Sequence, residues 1–354
     1  MKVFVKTYGC TFNQRDSKTI KGVLQSEDFT IVDSEREADV IVVNSCGVKG
    51  VTQDKIISYI NVQNKKVYVG GCLTKMIDMT KYSNVAGVFD PNTISQVGHQ
   101  IKNKIPKNFS NKKENKLSLS MVKVKEEKTI IPISEGCLGD CTFCSVKLAR
   151  GRLRSYRVGD IVRAMQGKTI YLTSQDCGCY GFDIGTNLAE LLREVVDVEG
   201  DFIIRVGMMS PEHVLVQLPE LIEAFKHSKI MKFLHLPLQS GSNKVLRDMR
   251  RKYTVAEYKY IVKEFRKAIP EIHIATDIIV GYPTESEEDF IETKKLMEEI
   301  QFEVVNLSKF TARPRTYAAK LKQLPGNEIK RRSEHISVLI REQTKSRVPM
   351  MIEE

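Results

Sequence analysis

Short apolar runs alternate with helix-length polar or amphipathic stretches along most of the chain, and this alternation limits the possible folds. In the first hundred residues, the apolar runs cover residues 2–8, 38–44 and 66–70, and the helical stretches cover residues 13–26 and 51–64. Parallel strands need crossover connections of this length. We therefore predict an α/β domain with an open parallel, flavodoxin-like sheet over residues 1–103, completed by a strand and a helix within residues 85–102.

A second series of strand-like runs follows residue 128. Its apolar runs cover residues 129–134, 169–173, 202–206, 232–237, 273–280 and 303–310, separated by helical stretches such as 187–196, 219–227, 255–268 and 287–300. Six such units predict a partial (β/α)6 barrel of the TIM type over residues 129–325, with function at the carboxyl ends of its strands. A basic C-terminal helix is expected within residues 326–354.

Positive charge is concentrated in two segments. The net charge is +11, and residues 104–128 carry eight Lys against three Glu, while residues 309–347 carry eleven Lys or Arg against three Glu. Residues 104–128 show no sustained period and are predicted to form a basic linker. Such segments fit contacts with phosphates, although solvated basic faces would have the same composition.

The N-terminus lacks the apolar core of a signal peptide, and no window has the apolar length of a membrane span. We therefore expect a cytoplasmic protein with no membrane partner. In a reducing compartment, eight cysteines are more typical of metal ligands or catalytic groups than of disulfides.

Three cysteines directly follow the first three apolar runs: Cys10, Cys46 and Cys72. The carboxyl ends of parallel strands lie at one edge of a sheet, so these thiols are expected to converge there. The pattern predicts a three-thiolate site. The alternative is three unrelated buried cysteines, since free cysteine is commonly buried.

A second triad, Cys137, Cys141 and Cys144, forms a C-x-x-x-C-x-x-C loop directly after the first barrel strand. Three thiolates so close together repel one another and favour a shared cation, either an iron–sulfur cluster or zinc. A structural zinc needs a fourth ligand, which Cys177 or Cys179 could supply. These two cysteines could equally be small buried hydrophobes in their loop, and a disulfide is a weaker alternative.

The second triad, with Phe143 inside it, resembles the signature of radical S-adenosylmethionine (SAM) enzymes. In that family the three cysteines hold a 4Fe-4S cluster whose fourth iron binds SAM. Polar groups at the barrel strand ends would then bind the amino-acid and ribose parts of SAM. The candidates for cofactor binding, with Phe143, are Ser174, Gln175, Asp176, Arg205, Gln239, Ser240 and Asp277. For any one of them, capping of the following helix is an equal alternative.

The two triads together resemble the methylthiotransferase branch of this family. The motifs that match are Lys-Thr-Tyr-Gly-Cys10, Asn-Ser-Cys46, Gly-Gly-Cys72, Ala-Arg150-Gly-Arg152, His235-Leu-Pro-Leu-Gln-Ser-Gly, Thr276-Asp-Ile-Ile-Val-Gly281 and Arg313-Pro-Arg-Thr-Tyr-Ala. The resemblance implies two 4Fe-4S clusters. The cluster on Cys137, Cys141 and Cys144 would cleave SAM to a 5′-deoxyadenosyl radical. The other would present sulfur, which a second SAM methylates before its insertion.

The opening motif and Thr-Ser-Gln-Asp176 look most like the archaeal and eukaryotic, MtaB-like type, which acts on threonylcarbamoyladenosine next to the tRNA anticodon. The alternatives within the family are enzymes that act on isopentenyladenosine in tRNA or on an aspartate of a ribosomal protein. A different class would be a non-catalytic iron–sulfur protein that binds RNA and senses redox state.

Partners implied by the resemblance are the tRNA anticodon arm and a reductant such as ferredoxin or flavodoxin. Members of the family usually end in a small RNA-binding barrel, called TRAM, which is not recognised in this sequence. We therefore expect the C-terminal helix to contribute to RNA binding, together with the linker lysines and a separate TRAM protein. The candidate residues are Lys330, Arg331, Arg332, Arg341, Lys345 and Arg347.

Overall fold

The computed structural model describes residues 1–48, 50–119 and 127–345, with side chains through residue 343. Its N-terminal strands are β1 (Lys2–Thr7), β2 (Thr30–Val32), β3 (Val40–Ser45), β4 (Lys66–Gly71), β5 (Val85–Phe89) and β6 (Lys107–Asn108). The helices of this unit are α1 (Thr11–Ser26), α2 (Gly50–Asn61) and α3 (Val97–Lys102).

The N-terminal strands form one parallel sheet in the order β2-β1-β3-β4-β5-β6. Every residue of β3 is buried, as expected for a central strand covered by helices on both faces. The strand order reverses between β1 and β3, and ligands of open α/β sheets bind at such a point. This arrangement confirms the predicted open parallel, flavodoxin-like domain.

Two strands of this sheet were not predicted. Strand β2 is only three residues long, and β6 lies inside the segment interpreted as a linker. Between β6 and residue 119, the buried Lys116 packs at the contact between the two domains. The described part of residues 104–128 is therefore structured, while residues 120–126 lie outside the described part of the chain.

The second unit contains eight further strands in the described residues: β7 (Lys128–Pro132), β8 (Ser134–Glu135), β9 (Arg154–Ser155), β10 (Thr169–Thr173), β11 (Ile203–Val206), β12 (Phe233–His235), β13 (His273–Val280) and β14 (Val304–Lys309). Its helices are α4 (Val146–Arg150), α5 (Val158–Arg163), α6 (Leu188–Val196), α7 (Pro211–Leu215), α8 (Leu218–Lys226), α9 (Asn243–Asp248), α10 (Val255–Ala268), α11 (Glu287–Ile300) and α12 (Gly326–Lys345).

Six parallel strands form the predicted partial barrel. Strands β7, β10 and β11 pair in one group, and β12, β13 and β14 pair in another. Backbone hydrogen bonds from Ile204 and Met209 to the segment around β12 connect the two groups. One apolar core fills the barrel and the space beneath its helices. Strands β8 and β9 form a short antiparallel pair that brackets the loop of the second cysteine triad.

Helix α12 packs against β13, β14 and α11. Ion pairs made by two of its arginines contribute to this packing. Arg332 is 3% exposed and donates to the carboxylate and the carbonyl of Glu285 at 2.7 and 3.0 Å. The half-buried Arg331 pairs with Glu287 and Glu328. A buried cation that is needed by a buried carboxylate cannot reach a phosphate, so the expectation that Arg332 contacts RNA is wrong.

No helix in the described residues is both long enough and apolar enough to cross a membrane.

Candidate active site

The first cysteine triad lies where three neighbouring strands of the N-terminal sheet end. Cys10 is the N-cap residue of α1, Cys46 follows β3, and Cys72 begins a short turn after β4. A Cβ placed on Gly9 would lie 3.1 Å from the Cys46 sulfur, and one on Gly47 would lie 3.3 Å from the Cys72 carbonyl oxygen. The structure therefore brings the three cysteine loops together, as the sequence predicts.

Glycines make this approach possible. Gly71 has φ +90°, and a side chain there would collide with the Ser45 backbone, whose nitrogen would lie 2.7 Å from the added Cβ. Without a Cβ, β4 can reach the end of β3 and place Cys72 beside Cys46.

A guanidinium group from the other domain contacts this triad. Arg150 Nε donates to Cys72 Sγ at 3.3 Å, and Arg150 Nη2 donates to Asn13 Oδ1 at 2.9 Å. Burial raises the pKa of the Cys72 thiol, and the Arg150 charge opposes that rise. The positive charge and the N-terminus of α1 at Cys10 both favour an anionic ligand set here. Three thiols with such neighbours fit a metal cluster.

The second triad lies on the loop between β8 and α4. Cys144 N donates to the Cys141 carbonyl at 3.1 Å, and Gly139 N donates to Cys137 Sγ at 3.1 Å. Arg251 Nη1 donates to Cys141 Sγ at 3.1 Å. Burial, and then the neighbouring Cys141 charge, raise the pKa of Cys144 to about 11. A metal centre would relieve both effects because it keeps the thiolates ionised.

A cavity of about 160 Å³ opens beside the second triad, and it is lined by Cys137, Gly139, Asp140, Cys141, Thr142, Cys144, Lys147, Leu148, Arg250, Arg315, Thr316 and Tyr317. All three cysteines of the triad therefore line one space, which fits a cluster with an open position. We call the charged and aromatic border of this cavity, formed by Lys147, Arg250, Arg315 and Tyr317, the mouth.

The other two cysteines occupy different environments. Cys177 is fully buried and its thiol points towards the Leu172 carbonyl, as a small core residue would. Ligand atoms of Cys137, Asp176 and Cys179 lie within 4.8 Å of one another. However, Asp176 already accepts from the Gly178 and Ser210 amides and pairs with His213 Nδ1 at 2.7 Å. Asp176 therefore holds its loop in place through these contacts. Because its carboxylate oxygens are already engaged, a zinc site formed by Cys137, Asp176 and Cys179 is not favoured.

Two predicted cofactor-binding residues support the first segment of the triad loop. Gln175 Oε1 accepts from the Gly136 amide at 2.6 Å, and the hydroxyls of Ser174 and Ser134 lie 2.6 Å apart. Gln175 therefore contacts the residue directly before Cys137, and Ser174 contacts the residue three positions before it. Burial lowers the pKa of His213, but the hydrogen bond and the charge of Asp176, together with other nearby charges, leave this pKa above its usual value.

The remaining candidates lie along the barrel strands. The Arg205 guanidinium lies 5.1 Å from the Tyr171 ring centre and 4.7 Å from that of Phe233. Asp277 Oδ1 accepts from Asn306 at 2.9 Å and lies 3.1 Å from His235 Nε2. SAM binding by Arg205 and Asp277 stays a prediction.

Three candidates have clear structural partners. Phe143 packs against the cluster that contains Tyr282 and Phe310. Gln239 has φ +71° and exchanges backbone hydrogen bonds with β13. Ser240 is fully buried, and its hydroxyl lies 3.3 Å from that of Thr293 on α11, so its side chain faces the helical layer.

Several residues at the two triads could not be identified from sequence: Asn13, Arg150, His213 and Arg251. Arg150 is 78 residues from Cys72, and Arg251 is 110 residues from Cys141. No local pattern signals contacts over such separations. The only sequence signal was the position of Arg150 within a matching motif.

The domain contact brings the two triads to one interface. Ser145 Oγ, beside Cys144, donates to the carbonyl of Gly47, beside Cys46, at 3.0 Å. Arg313 Nε donates to the same carbonyl at 3.0 Å, and Arg315 Nη1 donates to the Lys75 carbonyl at 2.8 Å. The loops that carry the two triads are thus in direct contact.

A parallel α/β domain and a partial barrel, each with a three-cysteine site, define an iron–sulfur enzyme of the radical SAM class. The model of the Radical SAM superfamily matches residues 131–297, and that of the Uncharacterized protein family UPF0004 matches residues 2–88. Together they match both units, and the class carries SAM and 4Fe-4S clusters.

Proteins of similar sequence identify the family within the radical SAM class. A Pyrococcus horikoshii protein described as a probable threonylcarbamoyladenosine tRNA methylthiotransferase is 44% identical over 94% of this chain and 82% of the relative. The Homo sapiens threonylcarbamoyladenosine tRNA methylthiotransferase is 37% identical over 95% of this chain and 62% of the relative. The chain belongs to the radical SAM methylthiotransferase family that includes these proteins.

Solved structures agree with the fold. The radical SAM methyltransferase TsrM from Kitasatospora setae, solved with cobalamin and a [4Fe-4S] cluster, aligns with a TM-score of 0.64 at 13% identity, over 92% of this chain and 79% of that chain. The cobalamin-dependent SAM radical enzyme OxsB aligns with a TM-score of 0.57 at 13% identity, over 98% of this chain and 56% of that chain.

Proposed function

We propose that the protein adds a methylthio group to C2 of N6-threonylcarbamoyladenosine beside the anticodon of tRNA. The observation that carries the proposal is the contact between Ser145 and Gly47, because it joins the loops of the two cysteine triads. Sulfur insertion at an unactivated C–H position needs both triads to reach the same base. The names of relatives at 37–44% identity support this substrate.

The bound groups would supply reductive SAM cleavage at Cys137, Cys141 and Cys144, and sulfur at Cys10, Cys46 and Cys72. The chain's own residues hold and orient these ligands. Arg251 links Cys141 to Ser210, to which its Nη2 donates at 2.9 Å. Gln175 fixes the amide next to Cys137.

The mouth supplies features that fit a single-stranded RNA loop. Tyr317 is 51% exposed, and the Arg250 guanidinium lies 5.1 Å from its ring centre. Arg315 and Lys147 add positive charge, which Asp140 partly offsets through its pairs with Arg250 and Lys147. An exposed aromatic ring flanked by cations can stack a base and bind its phosphates.

On α12, the exposed Lys330 and Arg341 remain candidates for RNA contact. Lys330 is engaged in a 3.8 Å pair with Glu334 at the surface, where such pairs are weak. The side chain of Lys345 and all of Arg347 lie outside the described residues.

The proposal also includes a cytoplasmic location, a reductant such as ferredoxin or flavodoxin, and help from a separate TRAM protein. None of the eight cysteines forms a disulfide, and a reducing compartment would keep the six proposed cluster ligands as thiolates.

Anaerobically reconstituted protein tests the reaction directly. We would supply SAM, a reductant and tRNA that carries either threonylcarbamoyladenosine or isopentenyladenosine, and measure nucleosides by mass spectrometry. The proposal expects the 2-methylthio product only from the threonylcarbamoyl tRNA. A 2-methylthio product from the isopentenyl tRNA would contradict the substrate. Failure to form 5′-deoxyadenosine would favour the redox-sensor class.

The RNA surface has a separate test. We expect Arg250→Gln/Arg315→Gln to weaken tRNA binding and to reduce the slope of log affinity against log salt by about 2, because two phosphate contacts are removed. Lys330→Gln/Arg341→Gln measures the contribution of α12 in the same way. A matched control is Lys226→Gln/Lys259→Gln, on exposed positions of α8 and α10. Equal affinities for the mouth variant and the control would refute the role of the mouth.

A further inference from the structure

A buried group of charged residues lies at the contact between the two domains. Its members come from α1, the segment after β6, β8 and α4, and they are Arg15, Asp16, Lys116, Glu135 and Arg150, each at most 3% exposed. Lys116 Nζ lies 3.0 Å from carboxylate oxygens of both Asp16 and Glu135. Arg150 Nη2 lies 2.7 Å from Asp16 Oδ2.

The charges of this group do not balance. Three cations face two carboxylates, and the neighbouring Lys113 and Glu114, which are less buried, add one charge of each sign. The nearby Tyr156 hydroxyl is neutral and donates to Glu135 at 3.0 Å. An uncompensated charge in a buried setting is costly. The missing negative charge is adjacent, because Arg150 Nε donates to Cys72 Sγ at 3.3 Å. A Cys72 thiolate that ligates a metal cluster completes the balance.

Arg150 has little freedom to leave this position. Asn13 and Asp16 hold its Nη2, and the Phe12 ring covers the guanidinium at 4.6 Å. Phe12, Asn13 and Asp16 lie in the first two turns of α1, directly after Cys10. Helix α1, which begins directly after Cys10, therefore holds the Arg150 guanidinium in contact with Cys72.

We propose that Arg150, the last residue of α4, is a positioning residue for the cluster on Cys10, Cys46 and Cys72, and that its charge raises the reduction potential of that cluster. Reduction adds one electron to the cluster, and a fixed cation at hydrogen-bond distance from a ligand sulfur favours the added charge. Because Arg150 follows Cys144 by six residues, the first triad acquires this cation only when the two domains are docked.

The test isolates the cluster on Cys10, Cys46 and Cys72 in the full-length chain. The background variant carries Cys137→Ala, Cys141→Ala and Cys144→Ala, and it is reconstituted with iron and sulfide under anaerobic conditions. An electron paramagnetic resonance redox titration then compares Arg150→Gln with Arg150→Lys. The matched control is Arg152→Gln, an exposed arginine two residues after Arg150.

We expect Arg150→Gln to shift the midpoint potential to more negative values and to change the resonance signal, with Arg150→Lys between it and the background. Arg152→Gln should match the background in both. Equal potentials and equal signals for Arg150→Gln and Arg152→Gln would overturn the proposal.

Arg150→Gln alone removes the ion pair that Arg150 makes with the buried Asp16 and could prevent folding. The pair Arg150→Gln/Glu135→Gln removes one charge of each sign and is compared with Glu135→Gln alone. We expect the double variant to show the more negative potential. Identical potentials in these two proteins would also overturn the proposal.

Discussion

Ser145 Oγ donates a 3.0 Å hydrogen bond to the Gly47 carbonyl oxygen across the contact between the two domains. Ser145 directly follows Cys144, and Gly47 directly follows Cys46. Ser145 is buried, and its bond joins two residues that each lie next to a triad cysteine. Arg313 donates to the same oxygen, so the junction has two independent supports. The separation of the two sites is therefore set by backbone and side-chain bonds.

Replacement of this hydroxyl tests the junction. We expect Ser145→Ala to lower the free energy of unfolding by about 1 kcal/mol, because one buried hydrogen bond is lost while Arg313 still satisfies the carbonyl. Sulfur insertion should fall more than SAM cleavage does. Chemical denaturation and both product assays measure this, with the exposed Ser228→Ala as control. A proportional loss of both products would contradict a role in alignment.

The two triads are expected to serve different steps of the reaction. We expect Cys141→Ala to abolish formation of 5′-deoxyadenosine, because it removes a ligand of the SAM-binding centre. Cys46→Ala should retain SAM cleavage and lose the methylthio product. Chromatography of both products from the same reaction measures this. Loss of SAM cleavage in a folded Cys46→Ala protein would argue against the division of labour.

Close approach at the end of β4 makes Gly71 sensitive to substitution. We expect Gly71→Ala to destabilise the protein by about 3 kcal/mol and to reduce iron bound by the first triad, because the added Cβ would strike Ser45 and displace Cys72. Gly185→Ala is the matched control, since Gly185 also has positive φ but has nothing within 4 Å of an added Cβ. Comparable losses in the two variants would show that backbone strain alone is responsible.

Burial of Glu114 predicts a dependence of stability on pH. Burial raises the pKa of Glu114 from 4.5 to about 7, against the opposing hydrogen bond from the Ser95 amide. Because the folded state holds this proton more tightly than the unfolded state does, stability falls as pH rises from 4.5 through 7. We expect Glu114→Gln to be about 2 kcal/mol more stable than the parent protein at pH 8, allowing for partial solvent screening, and equal to it at pH 4.

Denaturation at the two pH values measures this difference, and Glu194→Gln on the exposed side of α6 is the control. A stabilisation of Glu114→Gln that is the same at both pH values would contradict the assignment.

The alternation of apolar and amphipathic runs was sufficient to predict the parallel sheet, the partial barrel and the approach of Cys10, Cys46 and Cys72. These features follow from local periodicity and from the rule that parallel strands end at one edge. Strands β2 and β6 were missed because three and two residues carry too little pattern.

The remaining differences between the predictions and the structure come from contacts between residues that are far apart in the sequence. The roles of Arg150 and Arg251 depend on partners far away in the chain. The error at Arg332 has the same origin, since a cluster of basic residues on a helix does not reveal which of them faces Glu285. Lys116 similarly lies in a segment whose composition is typical of a linker, yet it bridges two buried carboxylates.

Iron quantification with Mössbauer spectroscopy tests the central claim, that this chain carries two separate three-cysteine clusters, most directly. We would compare the reconstituted parent protein with two variants, one in which Cys10, Cys46 and Cys72 are alanine and one in which Cys137, Cys141 and Cys144 are alanine. The account predicts two clusters in the parent and one 4Fe-4S cluster in each variant. One cluster in the parent, or loss of all iron from either folded variant, would contradict it.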